Sequence, residues 1–296
     1  MTEQKIAVVG ASGQVARALS RAAKLAVVPV IAAGRPEADI NDLPSLSAFI
    51  TSHKPALVIN AAAYTAVDKA ESDEEAARSA NEDGPARLAT LCSLIGAPLI
   101  HISTDYVFDG KKTSPYVEDD ATAPLGVYGA TKAAGEEAVR RTLARHVIVR
   151  TAWVYGAEGH NFLKTMLRLG AEREVVRVVA DQRGTPTYAG DLAAALLDIA
   201  RQVMARGDTA PFGTYHLVAT GETSWFGFAE EIFRSAAALG HKVPRLEAIS
   251  TADYPTPAPR PAYSVLDTSK IRSEFGIALP PWQQGVAACL KRLSTH

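Results

Sequence analysis

Along the first half of the chain, short aliphatic runs alternate with longer segments in which apolar residues recur at helical spacing. The runs occupy residues 6–9, 27–32, 57–60, 99–103 and 147–150, with alanine-rich stretches between them. They are continuous rather than alternating, so each predicts a strand buried on both faces. A strand followed each time by a helix rejoins its neighbour in parallel. The pattern therefore predicts an α/β fold, a doubly wound parallel sheet with helices on both faces.

After about Tyr155 the rhythm becomes irregular. Pro255, Pro257, Pro259 and Pro261 punctuate a stretch that can form neither regular helix nor central strand. A helix over 189–205 and a strand over 215–218 predict a return to the sheet. The expected organisation is a sheet domain over residues 1–156, rejoined by about 187–219, with a second, smaller region over 157–186 and 220–296.

Charge and composition narrow the function classes. The 296 residues carry 31 basic and 32 acidic side chains for a net charge of −1, and 47% are hydrophobic. That balance excludes disorder and gives no general attraction to nucleic acid or anionic lipid. Cys92 and Cys289 have neither CxxC nor metal-ligand spacing and read as reduced core thiols. The opening MTEQKIAVVGASG has no signal-peptide pattern, and residues 192–200 are too few to cross a bilayer. The expected location is the cytoplasm.

The first predicted strand runs into Gly10-Ala11-Ser12-Gly13-Gln14-Val15-Ala16 and then a helix. Glycines there allow a tight turn and close backbone approach to a pyrophosphate, and a helix N-terminus offers open N–H groups with the positive end of a dipole. Ala16 replaces the usual third glycine and is small enough for helix against strand. The position that grips an adenine ribose, at the end of the second strand, carries Arg35. A guanidinium there pairs with a 2′-phosphate, which favours NADPH; Asp39 follows closely and leaves NADH open.

Tyr128 and Lys132 stand four apart at the start of a predicted helix running to about Arg145, so they share a face. A nearby ammonium favours phenolate and is expected to lower the phenol's ordinary pKa of about 10. Thr104 and Asp105 follow the fourth strand at the carboxyl edge of the sheet, where such folds bind ligands. The small residues of the 60–65 segment lie at the same edge. Trp153, just after the fifth strand, is open to a core place or to stacking on a ligand ring. Asn161 opens a helix and is expected to cap it. The acidic run 68–75 predicts a solvated helix start.

Taken in order, VVGASGQVA, VINAAAYTAVDKAE, HISTDYVFDG, YGATKAAGE, RTAWVYG, NFLKTMLRL, DQRGTPTYAGDLA and YPTPAPRPAYSVLDTSK resemble the dTDP-4-dehydrorhamnose reductase branch of the extended short-chain dehydrogenase/reductase superfamily. The likeness runs over almost the whole chain. It implies a Rossmann dinucleotide-binding domain, a substrate-binding region, and reduction of dTDP-6-deoxy-L-lyxo-4-hexulose to dTDP-L-rhamnose. By that likeness Tyr128 is the proton donor, tuned by Lys132 and Thr104. Gly13, Gln14 and Val15, after Gly10, lie under the pyrophosphate; Ala63, Tyr64 and Thr65 lie beside the nicotinamide half and Asp39 and Ile40 near the adenine. Thr104, Asp105 and Trp153 meet the substrate. Arg260 is our candidate partner for the substrate diphosphate.

No GxxxxGK[ST], HExxH, GxSxG or SxxK motif is present, and the histidines lack ligand spacing, so no metal is indicated. The rivals are a non-catalytic NADP-binding regulatory subunit of the same fold and another nucleotide-sugar epimerase or dehydratase. The intact Thr104, Tyr128 and Lys132 set favours the reductase. A homodimer is left open by the sequence.

Overall fold

The computed structural model describes residues 4–294. Its centre is a parallel sheet built from β1 (Ile6–Val9), β2 (Val30–Ala33), β3 (Leu57–Asn60), β4 (Leu99–Thr104) and β5 (His146–Thr151), with Gly213–His216 as the sixth strand. The order across the sheet is Gly213–His216, β5, β4, β3, β1, β2. Successive strands leave β1 in opposite directions, so the order reverses there and opens a crevice at the strands' carboxyl ends. In register, Val9 pairs with both Ala33 and Asn60, and Thr104 with Thr151. The loops after β1, β3, β4 and β5 therefore emerge side by side.

Burial explains why the strands read as continuous runs. Ile6, Val8, Leu57, Ile59, Ile100 and Val149 face one cluster, closed by Leu192, Leu196, Ile199 and Val203 of the Ala189–Arg206 helix. Ala7, Val9, Val58, Leu99 and Ile148 face the other, with Leu46, Ile50, Leu88 and Cys92. A buried aliphatic side chain of this size contributes about 1.5–3 kcal/mol. The sheet needs no staple. Cys92 and Cys289 are free and buried, and burial pushes both thiols up to about 12.

The boundaries moved where the backbone turned early. Val27 adopts φ +54° and is 89% exposed, so it closes the preceding helix and the second strand begins only at Val30. The sixth strand starts at Gly213, two residues ahead of the pattern. The helix of Tyr128 and Lys132 spans Val127–Thr142 and stops short of Arg145, because Leu143 is extended and leads into β5.

A third cluster gathers Tyr155, Leu163, Met166, Val176, Phe228, Ile232, Trp282 and Val286. Beside it Val175–Val179 pairs in parallel with Arg245–Ile249. Part of the C-terminal stretch belongs elsewhere: Ile271, Phe275, Ile277 and Leu279 pack into the sheet's own core. No helix among the described residues is long and apolar enough to cross a membrane.

Candidate active site

The glycine turn is dictated by space as well as by backbone angle. Gly10 has φ +100°, and a Cβ on it would stand 2.6 Å from Ala62 N, so only glycine lets the loops after β1 and β3 touch. Gly13 then opens the Gln14–Leu25 helix with no side-chain cap and no acidic residue in its first turn. The positive end of that helix is left for a ligand. Gln14 ties it to the next loop by donating from Nε2 to Val154 O at 3.1 Å.

Gly13, Gln14 and Val15 line a cavity of about 390 Å³ at the carboxyl edge of the sheet. Ala61, Ala62, Ala63 and Thr65 form its second wall, and Thr104, Asp105, Tyr128, Lys132 and Trp153 its third. The predicted turn, the Tyr/Lys pair and the residues after β3, β4 and β5 thus meet in one space. These backbone and small-residue walls fit a flat dinucleotide: the open helix end suits phosphate, and Lys132 suits ribose hydroxyls.

Gly129 explains how Tyr128 reaches the cavity. Any Cβ there would collide with the Tyr106 carbonyl, so glycine lets the Val127–Thr142 helix close on the turn after β4. Tyr128 meets the Tyr106 ring edge-on at 5.5 Å. Its phenol departs from the sequence expectation. Burial pushes it up to about 12, the Thr104 hydroxyl pulling down and Asp105 pushing further up. Lys132 is not among the groups that shift the phenol. Nζ donates to Ile102 O at 2.7 Å, and burial lowers its own pKa to about 8, with Glu136 opposing. The phenol is therefore a neutral donor at physiological pH.

Asp105 is 1% exposed, and burial raises its carboxyl to about 6 against the pull of Ser264 and Thr104. Oδ1 accepts from Thr104 Oγ1 at 3.1 Å, whereas Oδ2 is buried with no hydrogen bond formed among the described residues. Thr151 Oγ1, also in the cavity wall, is equally without one. Buried polar atoms are normally satisfied, so both point to a ligand that completes them.

Trp153 settles between the two places left open for it. It adopts φ +46° and stacks on Trp225 with ring centroids 3.6 Å apart and planes at 7°. Both indoles line the cavity while half-buried. Asn161 caps the Phe162–Glu172 helix, accepting from Lys164 N at 3.1 Å.

The remaining predicted residues lie outside the cavity wall. Tyr64 turns its phenol to Asp73, donating at 3.1 Å, so only its neighbours Ala63 and Thr65 face the space. Arg35 is exposed just beyond β2. Asp39 Oδ1 accepts the Asn41 N–H at 3.0 Å, and Ile40 is buried where a Cβ on Gly84 would strike it. Arg260 pairs with Asp68 at 2.9 Å and lies over the Tyr106 ring, one side chain removed from Tyr128. The acidic run opens two short helices as expected, Val67–Ala70 with Asp68 and Glu74–Arg78 with exposed Glu74 and Glu75 in their first turns. Two of its carboxylates also meet distant groups: Asp68 holds Arg260, and Glu71, between the helices, accepts from Val127 N at 2.8 Å.

Sequence reasoning missed Thr151, His160 and Trp225, which also line the cavity. Thr151 ends β5 beside Thr104 and was findable by the carboxyl-edge rule. Trp225 had no local signal, because it meets Trp153 only through the fold.

A family model described as the RmlD substrate binding domain matches residues 4–295. The chain is 44% identical over 296 residues to a dTDP-4-dehydrorhamnose reductase of Burkholderia thailandensis, covering 98% of this chain and 99% of the relative. The chain belongs to the dTDP-4-dehydrorhamnose reductase family. A solved member from Clostridium acetobutylicum superposes with a TM-score of 0.91 at 38% identity, covering 98% of this chain and all of that one. Another from Bacillus anthracis, solved in complex with NADP, gives 0.91 at 35% identity with the same coverage. Residues outside the cavity wall, such as Arg35 and Asp39, thus belong to a fold that holds NADP in a family member.

Proposed function

We propose that this chain reduces the C4 ketone of dTDP-6-deoxy-L-lyxo-4-hexulose to dTDP-L-rhamnose with NADPH, in the cytoplasm. The observation that carries the reading is the meeting of Gly13–Val15, Thr104, Tyr128 and Lys132 in one cavity. The named relatives and the NADP-bound family member support it.

Gly10, Gly13, Gln14 and Val15 are assigned to the pyrophosphate, Ala63, Tyr64 and Thr65 to the nicotinamide half, and Arg35, Asp39 and Ile40 to the adenosine end. When bound, the reduced nicotinamide supplies a hydride. Tyr128 gives its hydroxyl proton to the ketone oxygen as C4 becomes a carbinol carbon. Its raised pKa keeps that proton in place at neutral pH. Thr104 orients the phenol and the carbonyl oxygen, and Lys132 binds ribose hydroxyls. Asp105 takes a sugar hydroxyl on its open oxygen, Trp153 covers the ring, and Arg260 leaves Asp68 for the diphosphate.

Residues 1–156 with 187–219 form the dinucleotide-binding unit, and 157–186 with 220–296, apart from the side chains at 271–279 that pack on the sheet, form the substrate region. The test incubates the protein with the 4-ketosugar nucleotide and either reduced cofactor, following loss of absorbance and identifying the sugar. Stoichiometric NADPH loss with formation of the 4-hydroxy sugar is expected; an inert mixture contradicts the assignment.

A further inference from the structure

Behind the cavity wall lies a buried group that the proposed reaction does not use. His101, on β4, has no exposed surface, and its Nε2 stands 3.5 Å from Lys132 Nζ. On the other side of the ring, Nδ1 stands 3.0 Å from Asn60 Nδ2 on β3. The Ala62 backbone decides which atom donates. Its N–H donates to Asn60 Oδ1 at 3.1 Å, which an amide NH₂ could not accept, so the Asn60 amide has one orientation. Nδ2 only donates, and Nδ1 of His101 therefore accepts. The ring is neutral, since burial and the charges of Lys132, Arg140 and His146 hold its protonation well below the histidine range. A neutral imidazole that accepts at Nδ1 carries its hydrogen on Nε2.

We propose that His101 is a positioning residue for the reduction: locked by Asn60 with its hydrogen on Nε2, it denies Lys132 an acceptor on the inner side and so directs the amine's donors to Ile102 O and the cavity. The inference rests on the reading of Lys132 as the cofactor-side amine. Other groups facing Lys132 do not supply the missing acceptor. Glu136, one turn later on the same helix, is committed to Ser103, Arg140 and Arg150. Tyr128, one turn earlier, and Asp105, just past β4 and beside the phenol, make no hydrogen bond to Nζ among the described residues. An N–H aimed at an ammonium disfavours its charge, in the same direction as burial does.

The same fold holds a contrast. His216, also without exposed surface, has Nδ1 3.1 Å from the Tyr116 carbonyl and Nε2 3.5 Å from the Arg150 guanidinium. The first contact needs a hydrogen on Nδ1 and the second a lone pair on Nε2, so His216 carries the opposite tautomer. His146 likewise donates from Nδ1, to Leu143 O at 2.5 Å.

The test is imidazole ¹⁵N NMR on the full chain. His101 is expected as a ring that does not titrate between about pH 5 and 8, protonated on Nε2, opposite to His216, and missing from His101→Gln. Asn60→Asp puts an acceptor in place of the Nδ2 donor and is expected to invert the His101 pattern alone, which also assigns the signal should His101→Gln not fold. In Asn60→Asp the alkaline limb of kcat/KM for the reduced cofactor should rise by about one pH unit, because Lys132 gains a lone pair to donate to. A parent ring protonated on Nδ1, or an inverted ring with an unmoved alkaline limb, overturns the proposal. The tautomer is read without turnover, so failure of the reductase reading would show instead in the parent's assay.

Discussion

Two polar clusters sit about two helical turns apart along the Val127–Thr142 helix, around Tyr128 and around Glu136, and they are built on opposite terms. Around Glu136 every oxygen is used. Oε1 accepts from Ser103 Oγ at 2.5 Å and Arg150 Nε at 3.0 Å, and Oε2 from Arg150 Nη2 at 2.8 Å and Arg140 Nη2 at 2.6 Å. Burial alone would raise its carboxyl, but Arg150, with Ser103 and Arg140, holds it below the ordinary carboxylate range. Around Tyr128 the reverse holds. Asp105 Oδ2 and Thr151 Oγ1 have no hydrogen bond among the described residues, and Lys132 has one short acceptor. A buried charge that serves the fold is saturated, whereas groups that serve a ligand are left incomplete until it arrives.

The largest effect that could break this comparison is on turnover. Tyr128→Phe should lower kcat by about 10²- to 10⁴-fold while cofactor affinity, measured by fluorescence titration, stays near the parent's, because only the proton donor is lost. Parent-like turnover would remove Tyr128 from the incomplete cluster's work. Next comes the saturated cluster. Arg150→Met strands a buried carboxylate and should cost about 3–5 kcal/mol of unfolding free energy by denaturant titration; a loss below about 1 kcal/mol would show the ion pair to be dispensable. Smallest is the adenosine end, where the guanidinium is exposed. Arg35→Ala should raise KM for NADPH about tenfold and leave KM for NADH unchanged, the value of one charge-assisted contact. Equal changes for both cofactors would take Arg35 out of the 2′-phosphate's reach.

What could be read in the chain and what could not follows from the range of the contacts. The strands, the Gly10 turn and the Tyr128/Lys132 spacing are local patterns, and the sheet then carries them to one edge. The direction in which the fold shifts the Tyr128 pKa was not legible, because a neighbour four residues away is local whereas burial comes from elements distant in sequence. The second partner of Asp68 was out of reach because it meets Arg260 across 192 residues. The Trp153–Trp225 stack and the orientation of Asn60 were illegible for the same reason. Side chains at 271–279 joined the sheet core although their stretch of chain looked detached, since hydrophobic packing ignores order along the chain.

The claim that the site is left incomplete for its ligand is tested most directly at Asp105, by measuring unfolding free energy and kcat/KM of Asp105→Asn beside the parent. The carboxyl's pKa is raised in the fold, so the native state binds its proton more tightly than the unfolded chain does. That contribution is present below about pH 4 and is lost as pH climbs through about 6. An amide escapes the loss. Asp105→Asn should therefore be about 2–3 kcal/mol more stable than the parent at about pH 8, with no gain near pH 4, while kcat/KM for the ketosugar falls about tenfold. A variant that is less stable at pH 8, or one that keeps full activity, would contradict the account.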